Sequence, residues 1–412
     1  MTGILTGMRV VESSAFVAVP LAGMSLAQMG ADVIRVDRPS GGLDAGRWPL
    51  APSGQSLFWA GLNKGKKSVP IDTGTPEGRE LMTQLVTAPG KDAGIFITNL
   101  PAKGWLDHPR LSALRADMIT ATLKGDRHGA PAVDYTVNPA LGVTHITGPA
   151  NHMDPVAHAI PAWDLQAGQM MVSSVLAAER HRLRTGEGQA VEMSLKDVAA
   201  SMLGHLGLIG EAALTATPRG KSGNALFGAY GQDFVCACGG RVMVIGLTRR
   251  QWSLLVQATG SDGEIAALEQ RLGLSLSDEG VRWTHRFDIT RIFDRFFATR
   301  KISEFADQFD RMGLTWSRVR TLQDALANDA DLSAENPVFC ALQQPGLGTF
   351  PVPGLPTDFG ALERQAPKPA PVLGAHTEEV LADHLGLASG QIARLFDKGT
   401  AACPEYTARN AA

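Results

Sequence analysis

The chain has 412 residues, 44% of them hydrophobic and 19% charged, with a formal net charge of −3. That is long enough for two or three domains with cores of their own, in an ordinary globular composition. The slight acidic excess suggests no nucleic-acid surface and no polybasic membrane patch, and no stretch is apolar for long enough to span a bilayer. No signal peptide is expected at the N-terminus. Cys236, Cys238, Cys340 and Cys403 are few and unevenly spaced, as in a reducing compartment, so a cytoplasmic protein is expected.

Arg9-Val10-Val11 follows a glycine and reads as a short buried strand. Pro20 to Met29, rich in Ala, Leu and Met, reads as a helix that Gly30 stops. Ala31 to Asp37 is the next strand. Thr75 and Pro76 start another helix, as N-cap and first helical residue. Gly94 to Asn99 and Met118 to Leu123 are further strands. Strands alternating with helices imply an α/β fold, a doubly wound Rossmann-like domain with ligands at the strand C-termini. Asp164 to about Arg184 is the longest helical segment, with arginines crowding its end and Gly186 stopping it. Gln189 to Leu195 is a strand with a helix after it, and the large domain spans residues 1–215.

Composition changes after about residue 215. Arg219 to Gly231 is glycine-rich. Phe234 to Cys238 and Arg241 to Ile245 flank Gly239-Gly240 and read as a hairpin, with Cys236 and Cys238 on one strand face. Residues 216–330 read as a smaller α+β domain. Pro337 to Pro371 reads as an extended connector, and Glu378 to Leu387 and Gly390 to Phe396 as helices. Residues 331–412 are thus expected to return to the large domain.

One carboxylate stands out. Asp164, in Pro161-Ala162-Trp163-Asp164, lies at a helix start, where backbone N–H groups point outward and the dipole favours negative charge. It is expected to stay ionised at neutral pH, as an N-cap or as a nucleophile. The glycine-rich run is either a flexible connector or a lid whose N–H groups stabilise an oxyanion. Gly220-Lys221-Ser222 fails as a phosphate-binding loop because Thr215 stands where its first glycine belongs. No nucleotide fingerprint follows the first strand, and no Gly-x-Ser-x-Gly elbow is present. His145, His152 and His158 match no metal-ligand spacing, so no metal is expected.

Four segments, Leu26–Pro39, Asn63–Asp72, Arg184–Gln189 and Leu373–Leu381, carry a resemblance that covers nearly the whole chain in order. On these residues the chain resembles the class III CoA transferases, the group that includes formyl-CoA transferase and α-methylacyl-CoA racemase. The resemblance implies that Asp164 is the nucleophile. It implies CoA contacts at Val17 and Ala18, at Arg38, at Ile71, Asp72, Thr73 and Gly74, and at Asn99, Leu100 and Pro101. It puts Asp134 at the pantetheine end, and Gly223, Asn224 and Gly228 in a loop over the acyl group. It also implies an acyl-CoA substrate, no cofactor beyond CoA, and an interlocked homodimer.

Two departures narrow the activity. Racemases carry a His just before the acidic residue that Asp134 matches. Here it is Val133, and racemisation needs a base and an acid on opposite faces of the α-carbon. Formyl-type transferases often have Gln where Val17 stands. The run His128–Asn138, with Pro161–Asp164 and Glu179–His181, resembles a branch whose members move CoA between the two carboxyl groups of one methylfumarate. Transfer between molecules, from a dicarboxylyl-CoA such as succinyl-CoA to a free acid, uses the same residues and stays open. Arg47 and His145 are candidates by position and charge for holding a distal carboxylate. For Arg47 a solvated surface arginine is the ordinary alternative.

Overall fold

The computed structural model describes residues 3–101 and 104–404. They form two compact units. One contains the chain up to Leu141, Ala159–Glu211 and the chain from Ala330; the other contains Gly142–His158 and Ala212–Asp329. The excursion Gly142–His158 has no counterpart in a division at residues 215 and 330. It is too short to show an apolar period of its own, and Gly142, at φ +80°, is where the chain turns off.

The first unit begins β1 (Arg9–Ser13), α1 (Ala18–Gln28), β2 (Asp32–Arg35), α2 (Leu57–Leu62), β3 (Lys67–Ser68) and α3 (Pro76–Thr87). It continues β4 (Ile95–Thr98), α4 (His108–Leu114), β5 (Ile119–Lys124) and α5 (Asp134–Ala140). The excursion carries α6 (Val143–Ile146), and the chain then forms α7 (Ala162–Thr185), β6 (Gln189–Ser194) and α8 (Leu195–His205). The six strands make one parallel sheet in the order β3-β2-β1-β4-β5-β6. That order reverses direction between β1 and β4, which leaves a crevice at their carboxyl ends.

Both faces of the sheet are covered, which is why its central strands read as near-continuous apolar runs rather than alternating ones. Val10, Val33, Ile95, Ile97 and Ile119 pack with Val19 and Leu26 of α1, Met171 and Val175 of α7 and Val198 of α8. Val11, Ile34, Val69 and Phe96 point the other way, onto Leu81 and Leu85 of α3, Leu111 of α4 and Val380 and Leu381 of the helix Thr377–Leu385. Local signals act as expected at α3, where the Thr75 hydroxyl accepts from Gly78 N–H at 3.0 Å ahead of Pro76. They do so again at the end of α7, where Gly186 takes φ +79° after Arg182 and Arg184.

The second unit holds an antiparallel sheet of β7 (Tyr230–Val235), β8 (Arg241–Gly246) and β9 (Thr315–Val319), in that order. Its core is aromatic: Tyr230, Phe234, Trp252, Phe293, Phe297 and Phe309. The hairpin starts earlier than its apolar run suggests, and Cys236 and Cys238 lie in the turn instead of on a strand. Gly239, at φ +77°, closes that turn by donating to Cys236 O at 2.8 Å. Cys236 is buried and Cys238 exposed, so the two do not share a face.

The stretch Pro337–Pro371 is not simply extended. It contains an antiparallel hairpin of β10 (Phe339–Gln344) and β11 (Gly348–Pro353). Pro345-Gly346-Leu347 turns it, with Gly346 at φ +71°. Pro351 and Pro353 are two apart, so the N–H groups they lack would have pointed the same way, which an edge strand tolerates.

Candidate active site

The sheet gathers one group of expected CoA contacts after each of its first four strands in chain order. Val17 and Ala18 follow β1 and open α1, and Arg38 follows β2. Ile71–Gly74 follow β3, and Asn99–Pro101 follow β4. Asp134 and Asp164 lie on the helices beyond β5. Not every one of these side chains is available. Ile71 is fully buried in the core and its N–H donates to Asp37 O, so it can offer a ligand little beyond backbone. Arg38 is exposed, and Asp72 folds back to accept from Gly74 N–H at 3.0 Å.

Asn99 fixes the crevice itself. Its side-chain oxygen accepts from Ala15 N–H at 2.9 Å and its amide donates to Ala15 O at 2.8 Å. One side chain thus continues the β1–β4 pairing past the sheet edge and sets the separation of the two loops. Beside it a cavity of about 980 Å³ opens between Asn99–Pro101 and Gly129–Val133. That volume suits a sizeable organic ligand.

Asp164 is the third residue of α7, not its cap; Pro161 holds the cap position and makes no side-chain bond there. The capping work is done from another helix. Asp134, at the start of α5 and nearly fully buried, accepts from Trp163 N–H at 2.7 Å. One turn on, Asn138 accepts from the Trp163 indole at 3.3 Å. Asp134 and Asn138 are four apart on α5, so they share a face and grip the first turn of α7 together. The Asp164 carboxylate is left uncommitted: among the described residues it makes no hydrogen bond and no ion pair. Burial pushes it up to about 6, the Asp134 charge adds to the rise, and Arg47 offsets part of it. It is still mostly ionised at neutral pH, with lone pairs free and little water around them, which suits a nucleophile.

Two consequences are measurable. The rate of any reaction using this carboxylate should fall about tenfold per pH unit below the value near 6, as protonation removes the nucleophile. Asp134→Asn keeps an acceptor for Trp163 N–H and removes the neighbouring charge, so the acid limb of a kcat/KM profile should move to lower pH. An unmoved limb would show that the two carboxylates do not interact.

A buried ion network underlies the same edge. Arg35 spans Asp37 at 3.0 Å, Asp44 at 2.8 Å and Glu12 at 3.5 Å, and Lys66 reaches Glu12 at 2.8 Å. Asn63 accepts from both cations, at 3.0 and 2.9 Å. The three carboxylates and two cations are all buried. Burial lowers Lys66 to about 8 even with Glu12 beside it. Gly42 passes so close over the network that a Cβ there would sit 2.4 Å from Asp37 Oδ1. The Arg35–Asp44 bridge therefore tethers the loop between β2 and α2.

That loop carries Arg47. Its guanidinium lies over Phe16 and Phe58, 5.3 Å from each ring centre. Such contacts contribute about 0.5–1 kcal/mol each at exposed positions. Phe16 takes φ +67°, the left-handed region, at a cost of about 1–2 kcal/mol for a non-glycine residue. Phe16 and Phe58 carry no signal in the sequence; the strained backbone appears only in the fold.

The glycine-rich run belongs to the second unit. Gly223 N–H donates to Gly148 O at 3.1 Å, so it is already engaged. Lys221 donates to Asp154 O, and Phe227 contacts both the Arg219 guanidinium and the Trp283 ring. The N–H groups of Asn224 and Gly228 make no bond among the described residues. His145 lies in α6 of the same unit.

Comparison with known proteins places the chain in a family. Residues 5–377 match the family described as CoA-transferase family III. The chain is 51% identical over 409 residues to 2-methylfumaryl-CoA isomerase of Chloroflexus aurantiacus, covering 99% of this chain and 100% of that one. It is 27% identical to succinate–glutarate CoA-transferase of Agrobacterium fabrum, over 92% and 95%. A crystal structure of a CAIB/BAIF family protein from Brucella suis superposes with a TM-score of 0.76 at 23% identity, covering 93% of this chain and 100% of that one. The family match over residues 5–377 and the 51% identity along nearly the whole chain make this an enzyme that belongs to CoA-transferase family III.

Proposed function

We propose that the enzyme moves CoA between the C1 and C4 carboxyl groups of mesaconate, converting 2-methylfumaryl-CoA to 3-methylfumaryl-CoA. The observation that carries this is the Asp164 carboxylate, partly desolvated and without a hydrogen bond or ion pair among the described residues, in a chain 51% identical to an isomerase of that substrate.

An Asp164 oxygen attacks the thioester carbonyl. The C–S bond breaks, CoA leaves as thiolate, and a mixed anhydride remains. The thiolate attacks the aspartyl carbonyl, which forms aspartyl-CoA and releases mesaconate. The diacid turns, and its other carboxylate attacks the aspartyl thioester. Thiolate leaves again and attacks the new anhydride at the mesaconyl carbonyl, which returns Asp164 as carboxylate. No atom changes oxidation state and one thioester is made for each one broken, so the route needs no metal or redox group, only CoA as part of the substrate. Each tetrahedral oxyanion needs a donor, and losing one such donor typically costs about 3 kcal/mol. Water must be kept out, since it would hydrolyse the anhydride.

The pantetheine arm is proposed to run along the crevice fixed by Asn99, with Val17, Ala18, Arg38 and the segment after β3 around the nucleotide. A homodimer is supported by large apolar side chains exposed on the first unit, among them Leu43, Trp48, Leu183 and Leu206. No helix of the described residues is long and apolar enough to cross a membrane.

Transfer between molecules is the second reading, and the succinate–glutarate relative is its support. Isomerising mesaconyl-CoA in excess labelled free mesaconate separates the two. Conversion with unlabelled product is expected. Label in the product at the rate of conversion would establish exchange between molecules.

A further inference from the structure

We propose that Arg47, held against Phe16 and Phe58, binds the carboxylate of the acyl group that is not joined to sulfur, and so selects thioesters of short diacids. The inference rests on the reading of Asp164 as nucleophile and extends it to the other end of the substrate.

Three observations support it. First, the guanidinium rests against two aromatic rings, 5.3 Å from each centre, and makes no hydrogen bond among the described residues, so its N–H fork remains to receive a carboxylate. Among the described residues no carboxylate forms an ion pair with Arg47, whereas Arg35, on the strand before it, has three.

Second, the backbone around Arg47 is fastened. Its N–H donates to Asp44 O at 3.2 Å, its carbonyl accepts from the Ser56 hydroxyl at 2.5 Å, and Asp44 is bonded to buried Arg35. Ordering an exposed arginine this firmly, with no ion-paired carboxylate among the described residues to reward it, opposes conformational entropy. An external anion supplies the missing partner.

Third, the clamp lies beside the nucleophile. Phe16 directly precedes Val17 and Ala18. A Cβ on Gly168 would meet the Ala18 carbonyl oxygen at 2.6 Å, so α1 and α7 touch backbone to backbone there. Asp164 is one turn before Gly168, about 6 Å along the helix. Arg47 and Asp164 are also close enough for their charges to interact.

The chemistry requires such a group. Asp134 and Asp164 both repel a diacid, and after the first half-reaction mesaconate is free, held by no bond. A cation that takes whichever carboxylate is not reacting would retain it and let it present the other end. A monocarboxylyl group has nothing for Arg47 to hold.

The test compares mesaconyl-CoA with crotonyl-CoA, which lacks the second carboxylate. Acylation of Asp164 is read in a single turnover by hydroxylamine trapping, in the native enzyme, Arg47→Gln and Arg47→Lys. CoA binding and melting temperature check that the variants are folded. The diacid-to-monoacid ratio should fall about 100-fold in Arg47→Gln, with a smaller fall in Arg47→Lys, as expected for loss of charged hydrogen bonds. An unchanged ratio, whether both substrates slow together or neither does, overturns the proposal. Absence of trapping at Asp164 in the native enzyme with either thioester would instead overturn the nucleophile on which it rests.

Discussion

Asp164→Asn is expected to reduce CoA transfer by on the order of 10⁴-fold or more, the scale seen when a covalent nucleophile is removed. CoA affinity should stay within about twofold, because the amide keeps the shape of the side chain and the crevice is set by Asn99 and not by Asp164. Stability gives an independent check. Burial raises the Asp164 carboxyl to about 6 in the folded enzyme, above its unfolded value. A raised carboxyl favours the folded state while protonated, and that contribution is lost as pH rises through about 6. The Asn variant does not ionise. It should therefore melt higher than the native enzyme at pH 7, by about 1 kcal/mol after allowing for solvent screening, and the gap should close below pH 4. A variant that transfers CoA at the native rate, or melts lower at pH 7, is incompatible with a desolvated nucleophile at this position.

Arg35→Met should be the most destabilising single change near the site. It leaves Glu12, Asp37 and Asp44 buried with Lys66 as their remaining cation. Removing one partner of a buried ion pair typically costs about 3–5 kcal/mol. The loop that Asp44 anchors would also loosen, so mesaconyl turnover should fall further than CoA binding does. Adding Asp44→Asn should recover part of the lost stability, because it removes one stranded charge that burial already disfavours. Thermal melts of the two variants measure both effects. If Arg35→Met melts with the native enzyme, the network is not what holds this edge together.

The alternation of strands and helices was legible in the sequence because each strand is short, apolar and bounded by glycine or a capping residue. Strand order was not, since Lys67–Ser68 is too brief to show a pattern and yet forms the edge strand β3. The hairpin of β10 and β11 hid behind its prolines, which usually signal loops but here face an open edge. Asp164 was visible as a carboxylate at a helix start. Its freedom was not, because the residue that relieves it of capping, Asp134, binds Trp163 from 29 positions away. The Arg47 clamp was half visible. A charged loop residue can be read, but the left-handed turn at Phe16 defies the ordinary preference of a bulky side chain and has no sequence signature.

Peptide mass spectrometry of enzyme quenched with hydroxylamine during turnover of mesaconyl-CoA bears most directly on the covalent route. A hydroxamate on the peptide containing Asp164, absent without substrate and absent in Asp164→Asn, is the expected result. Full conversion of substrate with Asp164 never modified, or the label on another residue, would contradict it.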